Sequence, residues 1–218
     1  MDANADARGV RPRSGDAMTR TDLPEIRELR PSQGEYPQRV LELPGRPRVL
    51  RALGDTGLLV EGPALAVVGT RTPTPEIERD AARIVEVASE FAMVIVSGIS
   101  PGVDGTAHDA AIRAKLKTIA VPGCGISALL QSEQGDLARR ILDAGGLLLS
   151  PFPNESAESL DRRWWRNRII AALCHGLVVV ASEVDGGAWE AHRWARRLER
   201  MLISPDTTSD AAPAETRS

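Results

Sequence analysis

The chain has 218 residues, 42% of them hydrophobic, and a formal net charge of −3. That is enough apolar material for one sizeable core, but gives no global positive field, so any contact with nucleic acid has to come from a local cluster. Cys124 and Cys174 stand far apart without metal-ligand or CxxC spacing, and His108, His175 and His192 form no zinc pattern, so reduced thiols, no metal and no cofactor are expected. No apolar run is long enough to span a bilayer and residues 1–20 lack the apolar segment of a secretory signal, so the expectation is a cytoplasmic protein without membrane contact.

Residues 1–31 are rich in Ala, Asp, Arg, Gly and Pro and poor in large apolar side chains, and are expected to be a disordered tail. A domain is expected over 32–205, with a lead-in at 32–62 and a core at 63–205. In the lead-in, 36–41 suggests a short helix and 49–53 a short strand. From Ala64 onward short apolar runs alternate with helical patterns, the sequence form of a doubly wound, mostly parallel sheet with helices on both faces. Strands are expected at 64–68, 93–96, 118–121, 147–149 and 177–181, with an edge strand at 201–203. The first core helix should run from Pro75 to about Phe91, with Thr74 as its cap and Ile77, Ala81, Ile84, Val85, Ala88 and Phe91 on one face. Further helices are marked by Ala107, Ala110, Ala111 and Ala114, by Leu137, Ile141 and Leu142, by residues 166–174, and by Ala188, Ala191, Ala195 and Leu198. A polar, disordered tail is expected at 206–218.

In an open parallel sheet the loops leaving the carboxyl ends of the strands share one rim, where ligands bind at the point of strand-order reversal. Glycine concentrates in these loops: Gly69, Gly98, Gly102, Gly123, Gly125, Gly186 and Gly187. Such a concentration suits a phosphate cradle, the plain alternative being tight turns. Thr70 and Arg71 follow the first core strand at a helix N-terminus, and Ser97 opens the second loop, so the first turn reads either as an anion site or as an ordinary connection with a solvated Arg. GxGxxG and GxxxxGK[ST] are both absent, which argues against a standard dinucleotide site or P-loop. The run Arg162-Arg163-Trp164-Trp165-Arg166-Asn167-Arg168 is placed at a helix N-terminus. Arginine forks and indole faces fit single-stranded nucleic acid, with a charged helix face and Trp165 in the core as the alternative. Glu190 can be read as a general acid/base, a ribose ligand or a capping carboxylate. Asp104 and His108, four apart, read as an acid-base pair or a structural hydrogen bond, and Cys124 as a small buried residue.

Taken together, Tyr36-Pro37 to Gly54-Asp55, Val67-Val68-Gly69-Thr70-Arg71, Ser97-Gly98 through Gly102-Val103-Asp104 to Ala107-His108, Ile119 to Gly125 and Arg166-Asn167-Arg168-Ile169-Ile170-Ala171 resemble the DNA-processing protein A family (DprA, also called Smf). The resemblance implies an extended Rossmann-like domain that binds single-stranded DNA, helps load the RecA recombinase during natural transformation and forms homodimers. It implies that Arg71, Gly98, Gly102, Asp104, Arg166, Asn167 and Arg168 line a DNA-phosphate pocket, in a protein without catalytic activity. The chain departs from the family at Leu130-Gln131 and Gln134, at Arg163, and at Asp185-Gly186-Gly187-Ala188-Trp189-Glu190-Ala191, where Asp185 and Glu190 add negative charge to the rim. Gly186-Gly187 with Glu190 is similar to part of the motif of cytokinin-activating phosphoribohydrolases. A nucleotide-binding or nucleoside-monophosphate-hydrolysing enzyme using Glu190 is therefore the second reading, and a degenerate structural partner of a longer relative the third.

Overall fold

A computed structural model describes residues 25–60, 62–182 and 186–203 of the chain. Most of both expected tails, and Asp185, lie outside these residues. The expectation of a disordered tail as far as residue 31 fails at its end. Arg27–Leu29 forms a strand, β1, antiparallel to Leu50–Gly54 (β2), with Leu29 buried. One apolar residue at the end of a polar triplet offers no periodicity to read.

The lead-in packs as a unit. Tyr36, 1% exposed, donates its hydroxyl to the Pro47 carbonyl at 2.7 Å beside the one-turn helix Gln38–Leu41 (α1). After β2, Asp55 Oδ1 accepts the Gly57 N–H at 2.9 Å and caps a 3-10 turn over Thr56–Leu59.

The core alternates as its pattern implies. Ala64–Val68 (β3) leads into Pro75–Ser89 (α2), Val94–Ser97 (β4) into Val103–Arg113 (α3), and Thr118–Ala120 (β5) into two helices, Ile126–Leu130 (α4) and Gly135–Asp143 (α5). Leu147–Ser150 (β6) precedes Leu160–Leu173 (α6), Gly176–Val179 (β7) precedes Gly187–Arg197 (α7), and Met201–Ile203 (β8) ends the described chain. The sheet order is β1-β2-β6-β5-β4-β3-β7-β8, and only the pairings of β2 with β1 and β6 are antiparallel. Successive β3 side chains point to opposite faces, as the two-residue period of a strand requires. Ala64, Ala66 and Val68 join a core with α6 and α7, whereas Leu65 and Val67 join one with α2 and α3. Leu53, Ala120 and Leu148 pack under α4 and α5.

From β3 the chain winds through β4 and β5 to β6, then returns through α6 to place β7 on the other side of β3. Strand order therefore reverses between β3 and β7, and the crevice above their carboxyl ends is where an open α/β sheet binds ligand.

Helix α4 is not among the expected helices, and two that are have other bounds. Helix α2 stops at Ser89 and Phe91 is 64% exposed, because the chain turns into β4 through Ala92 at φ 48°. Helix α6 begins six residues before Arg166, capped by Ser159 Oγ accepting the Arg162 N–H at 3.2 Å. Its first turns alternate charge and indole without an apolar stripe, which hides the start, although Ser159 followed by Asp161 is a capping signal. Arg166, Asn167 and Arg168 consequently sit inside a helix, not at its N-terminus.

Candidate nucleic-acid interface

A cavity of about 150 Å³ opens at the reversal point, walled by Gly69 and Arg71 after β3, Ser100 and Asp104 around the start of α3, Arg166 from α6 and Gly187 from α7. A wider groove of about 550 Å³ adjoins it and shares Gly69, Arg71 and Gly187. The strand ends place these groups: β3 and β4 are neighbours, and β7 brings α7 to the same rim.

Arg166 is the most telling residue of the site. It is 5% exposed, and its Nη2 lies 3.2 Å from Asp104 Oδ2 and 3.3 Å from Ser100 Oγ. Its Nε and Nη1 are buried without a hydrogen-bond partner. A buried guanidinium is costly unless its donors are satisfied, so a residue of the cavity wall with unmet donors on two of its nitrogens marks a place where an acceptor would be favoured. Asp104, itself 5% exposed, also accepts the Ser100 N–H at 3.3 Å. The pair rests on Gly98, where any Cβ would overlap both the guanidinium and the carboxylate. Beneath that glycine lies His108, which bonds to the Gly98 carbonyl through Nε2 at 2.7 Å and to Thr118 Oγ1 through Nδ1 at 2.7 Å. Burial pushes its pKa below the usual imidazole range. A neutral ring that donates from Nε2 to the Gly98 carbonyl leaves Nδ1 as an acceptor facing Thr118 Oγ1, whose hydroxyl also lies within hydrogen-bond distance of the Ile95 carbonyl at 2.9 Å. His108 thus holds the floor of the site, and Asp104 turns to Arg166 instead of pairing with it.

The first core loop is fastened to α3. The Val103 N–H donates to the Thr70 carbonyl at 3.1 Å, a side chain at Gly69 would collide with Val103, and Gly102 takes φ +84° against the backbone of Thr70 and Arg71. Helix α2 has the expected Thr74 cap, accepting the Ile77 N–H at 3.4 Å, and Pro75 in its first turn, yet neither residue lines either hollow. Helix α7 does present its N-terminus here, since its first residues Gly187 and Ala188 line the cavity. The first N–H groups of a helix have no partner within it and carry its partial positive charge. Asn167 sets this end in place by donating from Nδ2 to the Gly187 carbonyl at 2.7 Å. Arg71 is exposed, lines both hollows and has no ion-pair partner among the described residues.

Of the other candidates, Thr70 and Gly186 line the wider groove. Ser97 is fully buried, its hydroxyl donated to the Val67 carbonyl at 2.6 Å. Gly123 packs under Arg163, and Gly125 is enclosed by the backbone of Pro153 and Asn154. Neither glycine lines a hollow. Arg168 is sandwiched between Trp165 and Trp194, its Cζ 4.7 and 4.8 Å from the ring centroids. Glu190 is engaged on its own helix, with Oε2 paired to Arg193 at 2.8 Å and Oε1 accepting the Trp194 indole N–H at 2.7 Å. Cys124 is buried and its thiol is pushed up to about 11. Leu160, Arg163 and Trp164 line the cavity with Ser100 and Ala188, and of these only the aromatic and the arginine carry a signal that sequence reading can use. Among the described residues there is no group of three or more His, Cys, Asp or Glu placed to hold a metal ion, and no helix long and apolar enough to cross a membrane.

The family described as DNA recombination-mediator protein A matches residues 28–216. Protein Smf of Synechocystis sp. is 31% identical over 192 residues, covering 85% of this chain and 47% of that protein. DNA processing protein DprA of Bacillus subtilis is 34% identical over 157 residues, covering 72% and 52%. The chain thus spans about half the length of these curated relatives. Among solved structures, DprA of Streptococcus pneumoniae superposes with a TM-score of 0.74 at 27% identity, over 87% of this chain and 66% of that one. DprA of Helicobacter pylori, a protein with a single-stranded DNA binding mode, superposes with a TM-score of 0.71 at 24% identity, over 85% and 83%, a likeness of fold.

Proposed function

Since this chain belongs to the DNA recombination-mediator protein A family, we propose that it binds single-stranded DNA by its backbone, seating a phosphate in the cavity between β3 and β7. The observation that carries this reading is the buried Arg166 guanidinium, whose Nε and Nη1 lack partners and which lines a hollow of about 150 Å³. The Gly187 and Ala188 N–H groups add donors from one side, Arg71 adds a mobile full charge at the mouth, and Trp164 offers a face to an unstacked base. The wider groove receives the adjoining sugar and base. No sequence is read, because phosphate contacts position a strand without reporting its bases.

Among the described residues lining the cavity the carboxylate is Asp104, which is tied to Arg166, and this supports a binding role over a catalytic one. The same reading extends to delivery of the bound strand to a RecA-type recombinase in natural transformation, by a cytoplasmic homodimer. Family membership supports that extension.

The test is fluorescence anisotropy of labelled oligo-dT at two salt concentrations, with thymidine monophosphate as competitor. The expected outcome is affinity that falls with salt and that the mononucleotide barely displaces. Arg71→Ala should weaken binding and flatten the log–log salt slope by about 0.7, the share of one neutralised phosphate on a single strand. Full displacement by the mononucleotide would replace this reading with a free-nucleotide pocket.

A further inference from the structure

Helix α7 meets α6 at two places two turns apart. At its first residue the Gly187 carbonyl accepts Asn167 Nδ2, and at Trp194 its indole covers the guanidinium of Arg168. Seven residues of helix separate the two, about 10 Å of axis. Two anchors at that spacing fix the direction of the helix as well as its position, and hence where its N-terminal N–H groups aim.

The second anchor is held on both sides. Trp165 backs Arg168 from α6 and is itself met edge-on by Phe152, with ring centroids 6.0 Å apart at 62°. Trp194 is fixed by its indole N–H on Glu190 and carries Arg197 at 5.3 Å as well as Arg168. Stacking is what the described residues offer Arg168 here, and its Nε is buried without a partner among them. Burial also pulls its pKa below the usual guanidinium range against the raising effect of Glu190, consistent with a guanidinium drawn in among rings. A planar cation between two indole faces is a stacking arrangement that arginine makes and lysine does not reproduce. Arg168 lines neither hollow.

We propose that Arg168 is a positioning residue, a stacked brace between Trp165 and Trp194 that holds the N-terminus of α7 against Arg166, and that it does not itself grip a phosphate. The inference rests on the single-stranded DNA reading.

The test compares the wild type with Arg168→Ala, Arg168→Lys, Trp194→Leu and the Arg168→Ala/Trp194→Leu double variant in oligo-dT anisotropy across a salt series, with thermal unfolding alongside. The brace predicts that Arg168→Ala weakens binding about 3- to 10-fold, the scale of one desolvated cation–π contact, with the salt slope unchanged. Arg168→Lys should restore little of the loss, and the double variant should bind no more weakly than the worse single one. A slope flattened by about 0.7 in Arg168→Ala and recovered in Arg168→Lys would make Arg168 a phosphate contact and overturn the proposal. Unchanged affinity with a lowered Tm would overturn it too, reducing Arg168 to a purely structural role. Failure of the wild type to bind would instead sink the function reading and the positioning role with it. Non-additivity of the two substitutions in unfolding would then still report the brace alone.

Discussion

The rim above β3, β4 and β7 and the rim above β5 and β6 are written in the same residues, glycines beside small polar side chains, and they do opposite things. Over β5 and β6 the chain fills its own space. Gly123 lies under Arg163, Gly125 against the carbonyls of Pro153 and Asn154, and the Ser150 hydroxyl donates to the Cys124 carbonyl at 2.7 Å. Over β3, β4 and β7 the glycines let side chains and a helix end approach without filling the space between them, so that Gly98 supports a guanidinium with two nitrogens left without partners. Glycine in a loop says that something must come close. Only the fold says whether that something is the protein itself or a ligand.

Arg166→Ala is the substitution that separates the two rims most. It removes the guanidinium from the cavity wall and leaves Asp104, 5% exposed, buried without its partner. Breaking a buried pair from one side costs about 3–5 kcal/mol. Oligo-dT binding should be lost, and a denaturant midpoint should fall by the corresponding amount. Binding retained by a folded Arg166→Ala protein would show that the hollow between β3 and β7 is not where the strand sits.

The next largest effect is expected on the other rim and should leave binding alone. A methyl group at Gly125 would overlap the carbonyl oxygens of Pro153 and Asn154, and neither backbone can give way without moving the start of α4, where the Leu129 N–H donates to the Gly125 carbonyl at 2.9 Å. Gly125→Ala should cost about 3 kcal/mol, the scale of forced backbone shifts in packed regions, and lower Tm by about 6–12 °C. The folded fraction should bind oligo-dT as the wild type does. A variant that stays stable but binds weakly would move Gly125 from packing to the ligand site.

The sheet was legible in the sequence because its strands are short apolar runs and its helices carry stripes, patterns set by the two-residue and 3.6-residue periods themselves. β1, α4 and the first turns of α6 were not, each for want of a period: a polar triplet with one anchor, a five-residue helix, and a run in which arginine and tryptophan alternate with no apolar stripe. In the site, Gly69, Arg71, Asp104, Arg166, Asn167 and Gly187 were legible as chemistry at strand ends, and the fold brings them to one cavity. Arg168 could not be told from Arg166 because both belong to one basic run. What separates them is two positions along a helix, about 200° of rotation, which sends one side chain to the cavity and the other to the α7 seam. Which of two helix starts reaches the cavity is not legible in the sequence for a similar reason. Thr74-Pro75 and Gly186-Gly187 are both sound starts for a helix, and strand order decides which of them reaches the switch point.

The smallest expected effect concerns the one nucleophile on the filled rim. Cys124 sits between two glycines in a loop that leaves a strand end, a setting in which an exposed thiol would be reactive. Burial first and the nearby Glu158 carboxylate second raise its pKa to about 11 against the lowering influence of Arg166 and Arg162. Cys174, fully buried, is pushed up to about 12. A folded-state pKa this high keeps both thiols protonated through the neutral range, and the thiol form is a poor nucleophile. Iodoacetamide at pH 8 should therefore leave the native protein unlabelled over a period in which the denatured protein reacts at both cysteines, as read by intact mass. Rapid labelling of Cys124 in the native state would mean that the β5 rim opens to solvent. It would then have to be counted with the β3–β7 rim as accessible surface, and the contrast between a filled rim and a vacant one would fail at its weakest point.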